Sequence, residues 1–341
     1  MSVIAYLPYA GGFTLGMKRA GIETDMMFHD GYAEKTFAAN FPDTKRVKID
    51  FDWPKREGVK IMYGNPPCAA WSSIGKRQGA KDPRVADTRR WTKLVDFYQP
   101  KIMVTESVLQ AEGFMDEWLI PRLNERGYAT TKWLHNGLFY GLPQSRRRLF
   151  IIGHRVPFQP EEPDRTATVL TKNAFNGIDI ISNPELNDLM TAPTIRKELD
   201  PFLSQIKPGE KLRRAYERLI LIPQHGRDES NWPRNARGHV IGRPGFGALR
   251  LDPDRPAGSF PGIYPMVHPT EDRWLQINEV KIGLCQYGSE YVFTPRGNGD
   301  IAKEMARAVM PAMGEAMGRA ILASRSLNRP FIVENKEYGH L

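Results

Sequence analysis

The sequence predicts an α/β fold, a doubly wound and mostly parallel sheet with a smaller irregular domain. Three observations predict it. Strand-like and helix-like stretches alternate over the first 153 residues. Short apolar runs such as Lys101-Ile102-Met103-Val104-Thr105 stop at turn residues, as strands covered on both faces do. After Gly153 the alternation ends, and Pro, Gly, Arg and Asp dominate to about residue 272.

The elements follow in order. Residues 3–7 read as a first strand, Tyr9-Ala10-Gly11-Gly12-Phe13 as a glycine turn, and 13–20 as a helix closed by Gly21. A strand near Thr24–Phe28 and a helix over Ala33–Asn40 come next. Strand, glycine turn, helix, strand opens a fold that binds a nucleotide-like cofactor, although two adjacent glycines without a complete GxGxxG also suit a plain tight turn. Val47–Phe51 reads as a third strand with Asp50 at its tip, and Lys60–Tyr63 as a fourth. A helix is expected over Arg89–Tyr98, a strand over 101–105, a helix over 113–126, and strands over 129–134 and Leu149–Ile152. From Ala302 one final helix is expected to run through Met305, Val309, Met313, Ala316 and Ile321, its apolar residues spaced three to four apart. The expected division is a catalytic and cofactor-binding domain over 1–153 completed by 300–330, a small domain over 154–272, and a return segment over 273–299.

The chain has 341 residues, 41% hydrophobic and 26% charged, as globular proteins do. Its only cysteines are Cys68 and Cys285, which excludes a disulfide framework and a cysteine-rich zinc site. Free thiols suit a reducing cytoplasm. No metal is expected. No apolar run reaches the ~20 residues of a membrane span, and the start lacks the basic residues of a signal peptide. Lys plus Arg is 48 and Asp plus Glu is 39, a net charge of +9, which favours a polyanionic partner.

One stretch concentrates the chemistry. Lys60-Ile61-Met62-Tyr63 is followed by Gly64-Asn65-Pro66-Pro67-Cys68-Ala69, where two prolines stop any ladder or helix. Cys68 then sits on a loop just past a strand end, where ligands bind in open α/β sheets. We read Cys68 as a nucleophile and Cys285, within Ile282-Gly283-Leu284-Cys285, as a small core residue.

Further pieces stand in a telling order: the glycine turn, Pro66-Pro67-Cys68, Glu106-Ser107-Val108, and Gln144-x-Arg146-x-Arg148. Asp82 and Arg84 follow the glycine-containing loop 75–79. Val267-His268-Pro269, Arg273-Trp274-Leu275-Gln276-x-x-Glu279 and the stretch from Ala306 to Ala320 come later. Together they resemble the cytosine-C5 methyltransferases over almost the whole chain, most weakly between 155 and 260. The resemblance implies a class I methyltransferase (Rossmann-like) fold with a target-recognition domain. It implies a DNA cytosine-C5 methyltransferase acting through a Cys68 adduct at carbon 6 of a flipped base, with S-adenosyl-L-methionine as donor. Glu106, Arg146 and Arg148 would be the remaining catalytic residues. Ser72, Lys76, Arg77, Arg84 and Gln144 would contact DNA. Tyr9, Gly11, Gly12, Phe13, Phe28, Asp30, Asp50, Pro67, Ala69 and Arg307 would line the cofactor site.

Departures from the family pattern cluster around that cofactor. Leu7 and Tyr9 replace the Phe and first Gly of the opening motif. The ribose-binding acid falls on Phe28, with Asp30 the nearest carboxylate. Ala69 replaces a Gln, Ser107 an Asn, and Ala306-Arg307 a Gly-Asn. Ala69 opens space and Arg307 adds a cation suited to a carboxylate. An anionic donor, carboxy-S-adenosyl-L-methionine, with carboxymethyl transfer is therefore the alternative to methyl transfer. A DNA-binding protein with a weakened cofactor site, a nicotinamide oxidoreductase and an RNA-modifying enzyme are the other readings. The long segment 155–270 fits double-stranded DNA, and a cytoplasmic monomer of a bacterium or an infecting phage is expected. Nothing in the sequence identifies the DNA target or a partner restriction enzyme.

Overall fold

The computed structural model describes residues 2–50, 52–67, 70–71, 79–156, 160–180, 197–236, 238–240, 248–260, 262, 266–294 and 300–323. No helix among them is long and apolar enough to cross a membrane.

The central sheet is built from β1 (Ser2–Tyr6), β2 (Met26–His29), β3 (Lys45–Lys48), β4 (Val59–Gly64), β5 (Ile102–Ser107), β6 (Ala129–Asn136) and, after the two-residue β7 (Gln144–Ser145), β8 (Arg147–His154). Its order is β3-β2-β1-β4-β5-β8-β6. The first five strands run parallel, and β8 is antiparallel to both its neighbours. The expected α/β architecture is thus present. The order reverses direction about β1 and β4, which is where such sheets open a ligand crevice.

Helices cover both faces. Met17, Phe13, Tyr63, Val104, Phe150 and Ile152 share one core with Met313 and Met317 of the helix Pro311–Ala323. Tyr6, Met62, Trp91, Leu94, Met103 and Ile151 form the opposite core, under α3 (Val85–Tyr98) and the helix over 112–125. A strand sandwiched this way must bury both sets of alternating side chains, hence the uninterrupted apolar runs.

One expectation fails. The final helix is two, Asp300–Arg307 and Pro311–Ala323. Pro311 has no N–H to donate and its ring excludes a preceding helical turn, so the chain breaks there and restarts with proline in the first turn. The break matters, because it presents the carbonyls of Ala306 and Ala308 to Arg146.

A third core joins Leu199, Leu203, Leu212, Tyr216, Leu221 and Trp232 to Val267 and Trp274. It accounts for only part of 154–272. Phe175, Leu251, Ala257, Phe260 and Met266 pack with the sheet instead.

The helix Pro311–Ala323 crosses α1 (Gly12–Arg19) closely enough that side chains are excluded. A Cβ on Gly16 would run into the backbone at Pro311 and Glu315, and one on Gly314 would lie 2.9 Å from the Phe13 carbonyl oxygen. Both partners are backbone, which cannot swing aside. Gly16→Ala should therefore lower stability by about 1–3 kcal/mol despite alanine's better helix propensity. A urea melt showing equal or higher stability would contradict the close crossing.

Candidate active site

Glu106 is the last residue but one of β5 and is 1% exposed. Its Oε1 accepts from Arg148 Nε at 2.9 Å. Its Oε2 accepts from the side-chain amide of Asn65, which directly follows β4. β4 and β5 are paired neighbours, with Gly64 opposite Thr105, so the topology puts Asn65 and Glu106 side by side. Pro66 and Pro67 then lead towards Cys68. Burial raises the Glu106 carboxyl above the usual carboxylate range, with Arg148, Arg146 and Asn65 pulling it back. The carboxyl is oriented by two donors.

Gln144, Arg146 and Arg148 alternate along one chain segment and do three different jobs. Arg148 holds Glu106. Arg146 is 2% exposed and donates to the carbonyls of Ala306 at 2.7 Å and Ala308 at 3.1 Å. Its guanidinium pins the broken end of the last helical segment beside the glycine turn. Gln144 is fully buried; its amide donates to the Leu284 carbonyl at 2.6 Å, and its oxygen accepts from the Phe260 N–H at 3.0 Å. The expected DNA contact by Gln144 is therefore corrected: its side chain faces inward and ties two later segments to the sheet. Burying an amide demands partners, and the main chain supplies both.

Other expected site residues divide between the crevice and the surrounding frame. The turn after β1 carries Leu7, Tyr9 and Gly11 in the left-handed region, with φ of 47°, 52° and 84°. Leu7 and Tyr9 keep this backbone without glycine's freedom, at roughly 1–2 kcal/mol each. Phe13 packs on Tyr63 with ring centroids 4.7 Å apart. Phe28 is fully buried against Tyr98, so its expected place on the cofactor is also corrected. An apolar side chain on a strand covered from both sides is drawn into the core. Asp30, exposed just past β2, accepts from the Tyr32 N–H at 2.8 Å. Tyr32, which sequence reading missed, carries the Arg307 guanidinium 4.4 Å over its ring and meets Tyr9 edge-on at 6.1 Å. Arg307 therefore stands beside the turns that follow β1 and β2. Asp50 lies past β3, paired with Arg90 at 3.0 Å. Arg84 grips Asp82 through two bonds of 2.8 and 2.6 Å. Cys68, Ala69, Ser72, Lys76 and Arg77 lie outside the described residues.

Cys285 is fully buried 3.9 Å from Gln144 Nε2, and burial pushes its thiol up to about 12. A thiol so reluctant to ionise is a poor nucleophile. No group of three or more metal-binding side chains occurs among the described residues.

A groove lined by His29, Glu34, Lys45, Arg46 and Lys48 runs along the edge strand β3. It lies at the sheet edge, with three strands between β3 and the β5 that carries Glu106.

The profile of C-5 cytosine-specific DNA methylases matches residues 1–323. The chain belongs to that family. Type II methyltransferase M.PspPI of a Psychrobacter species is 27% identical to this methylase over 354 residues, spanning 96% of this chain and 80% of its own. M1.HphI of Haemophilus parahaemolyticus is 24% identical, over 92% of this chain and 84% of its own. M.DdeI of Desulfomicrobium norvegicum is 29% identical, but the match spans only 45% of this chain and 40% of that protein. Among solved structures, the Entamoeba histolytica methyltransferase EhMeth has a TM-score of 0.62 at 14% identity, covering 94% of this methylase and 98% of EhMeth. A Spodoptera frugiperda DNMT2 mutant has a TM-score of 0.58 at 13% identity, covering 94% and 100%. These structural likenesses bear on the fold, which is that of the class I methyltransferases.

Proposed function

We propose that this methylase transfers a methyl group from S-adenosyl-L-methionine to carbon 5 of cytosine in double-stranded DNA. The observation that carries the reading is the buried Glu106 carboxyl, held by Arg148 and by Asn65, the residue that precedes Pro66-Pro67-Cys68 in the chain. Carbon 5 of cytosine is a weak nucleophile. Addition of the Cys68 thiolate to carbon 6 pushes electron density into the ring towards N3 and O2. Glu106, whose carboxyl burial raises above the usual carboxylate range, would hold a proton at N3 and offset that charge. Arg148 fixes the carboxyl and adds a positive field beside O2. The enriched carbon 5 would take the methyl group, the donor leaving as a neutral thioether; water would then take the carbon-5 proton as the carbon 6–sulfur bond breaks, which returns the Cys68 thiolate and restores the ring. The base must leave the stack to reach this site. Ser72, Lys76, Arg77 and Arg84 would meet phosphates, and the separate core of Leu199 to Trp274 would carry the surface that reads the target.

The crevice residues fit the donor in part. Gly11, Gly12 and the first amides of α1 form its turn, Arg307 supplies a cation for an amino-acid carboxylate, and Tyr32 an aromatic face. Phe28 cannot grip a ribose, which leaves that task to Asp30. The bound donor supplies an electrophilic methyl group. Nothing in the relatives supports the carboxymethyl alternative, so methyl transfer is the reading kept.

A covalent trap tests it. DNA containing 5-fluorocytosine, incubated with the enzyme and S-adenosylmethionine, should become irreversibly attached. Cys68→Ser should abolish attachment, and Cys285→Ser should leave it intact. Attachment that survives Cys68→Ser would sink the mechanism.

A further inference from the structure

The donor turn of this methylase is held in a conformation its own residues disfavour. Leu7, Tyr9 and Gly11 alternate through the left-handed region, and two of the three bear side chains. Such a backbone persists only where its surroundings over-determine it. Within the turn the Gly11 N–H donates to the Pro8 carbonyl, and the Leu7 N–H ties its start to the Phe28 carbonyl of β2, both at 2.9 Å.

One further bond comes from far along the chain. The Tyr291 hydroxyl donates to the carbonyl of Ala10, at the centre of the turn. Tyr291 is 4% exposed, and its ring is wedged between Tyr287 at 4.9 Å, Phe293 at 5.3 Å and Phe41 at 6.2 Å. The backbone behind it is fixed as well. Asn40 of α2 (Glu34–Asn40) accepts from the Val292 N–H at 2.9 Å and donates to the Val292 carbonyl at 2.7 Å. Lys281 Nζ reaches the Tyr291 carbonyl at 3.2 Å. The ring therefore works as a strut with an anchored base and a polar tip. The turn leaves room for that tip, since a Cβ on Gly11 would lie 2.8 Å from the Tyr291 hydroxyl.

We infer that Tyr291 is a positioning residue for the methyl donor: its hydroxyl latches the Ala10 carbonyl and so holds the left-handed turn Leu7–Gly12 in donor-binding form. The latch rests on the donor reading given above. It also accounts for how Leu7 and Tyr9 can stand where the family places a phenylalanine and a glycine. Conformational freedom lost at residue 9 is offset by a fixed hydrogen bond from residue 291.

The neighbouring Tyr287 supplies the control. It is equally buried, and its hydroxyl would lie 2.7 Å from a Cβ on Gly12, yet that hydroxyl has no hydrogen-bond partner among the described residues. Both tyrosines can lose their hydroxyl with little change of shape. Isothermal calorimetry with S-adenosylmethionine should show Tyr291→Phe binding about 10-fold more weakly, a loss of about 1.4 kcal/mol. Its KM for the donor should rise in step, while kcat at saturating donor and affinity for DNA stay within about threefold. Tyr287→Phe should bind the donor like the unsubstituted enzyme. Unchanged donor affinity in Tyr291→Phe would overturn the latch. So would an equal loss in Tyr287→Phe, which would reduce both tyrosines to core packing. If the unsubstituted enzyme binds no S-adenosylmethionine, the donor reading itself falls, and the latch with it.

Discussion

Replacing Glu106 by glutamine lowers the rate of cytosine methylation by about 10²–10⁴-fold, the usual contribution of a positioned general acid. Glutamine keeps the length and shape of the side chain. Its oxygen can still accept from Arg148 Nε, which now stands 2.9 Å from Glu106 Oε1, and Asn65 can turn its amide so that its oxygen accepts from the new NH2 group, so the site should stay assembled. What glutamine cannot do is supply a proton to N3. Covalent attachment to 5-fluorocytosine DNA should slow in parallel, because addition of Cys68 is the step that needs the ring charge stabilised. The pH dependence follows from the sign of the shift. Burial raises the Glu106 carboxyl, so the acid form persists above the ordinary carboxylate range, and kcat should fall as pH rises through that raised value. In Glu106→Gln the remaining slow rate should lose this limb. A variant retaining activity within a fewfold of the parent would remove Glu106 from the mechanism.

Acid should destabilise the fold through His135, with a loss of about 3 kcal/mol between pH 6.5 and pH 4. His135 lies on β6 directly across from Arg148. It is 3% exposed, stacked on Trp133 with centroids 5.0 Å apart, and its Nδ1 meets the Tyr140 hydroxyl at 2.8 Å. Its Nε2 has no hydrogen-bond partner among the described residues. Burial lowers its pKa from 6.5 to about 4, and the positive charge of Arg165 pushes the same way. The unfolded chain therefore binds the proton more readily than the folded one. Stability is full above pH 6.5, declines as pH falls towards 4, and loses no more from this residue below that. His29, His154 and His268 are shifted down by burial as well, so they steepen the same decline. Urea melts at several pH values check it: His135→Phe should flatten the pH dependence by about the stated amount, whatever it costs in absolute stability. An unchanged slope would mean that His135 titrates alike in the folded and unfolded chain, and that burial does not shift it.

Much of the site could be read from local pattern because its parts sit at strand ends. Proline pairs, a lone polar residue after an apolar run and alternating cations are all short-range signals. Glu106 at the end of β5 and Arg148 on β8 are legible in that way. Asn65 was written in the same short stretch as Cys68, but its task depends on β4 pairing with β5, which no local signal states. Gln144 and Phe28 show the opposite failure. Each occupies a motif position with an expected ligand, and each is turned into the interior by the elements packed over it. The last helix breaks for a local reason: its apolar spacing runs through Pro311, and proline overrides spacing.

By itself the sequence determined the α/β class, the order of strands and helices, and the residue types able to add to a pyrimidine ring, because periodicity and side-chain chemistry act over a few residues. Only the tertiary structure decided which groups meet. It brought Asn65 and Arg148 onto one carboxyl, carried Arg307 over Tyr32, and set the Tyr291 hydroxyl on a turn some 281 positions away. Burial and hydrogen-bond partnership are properties of the packed chain, and they decide whether a carboxyl keeps its proton and whether a strained turn holds its shape.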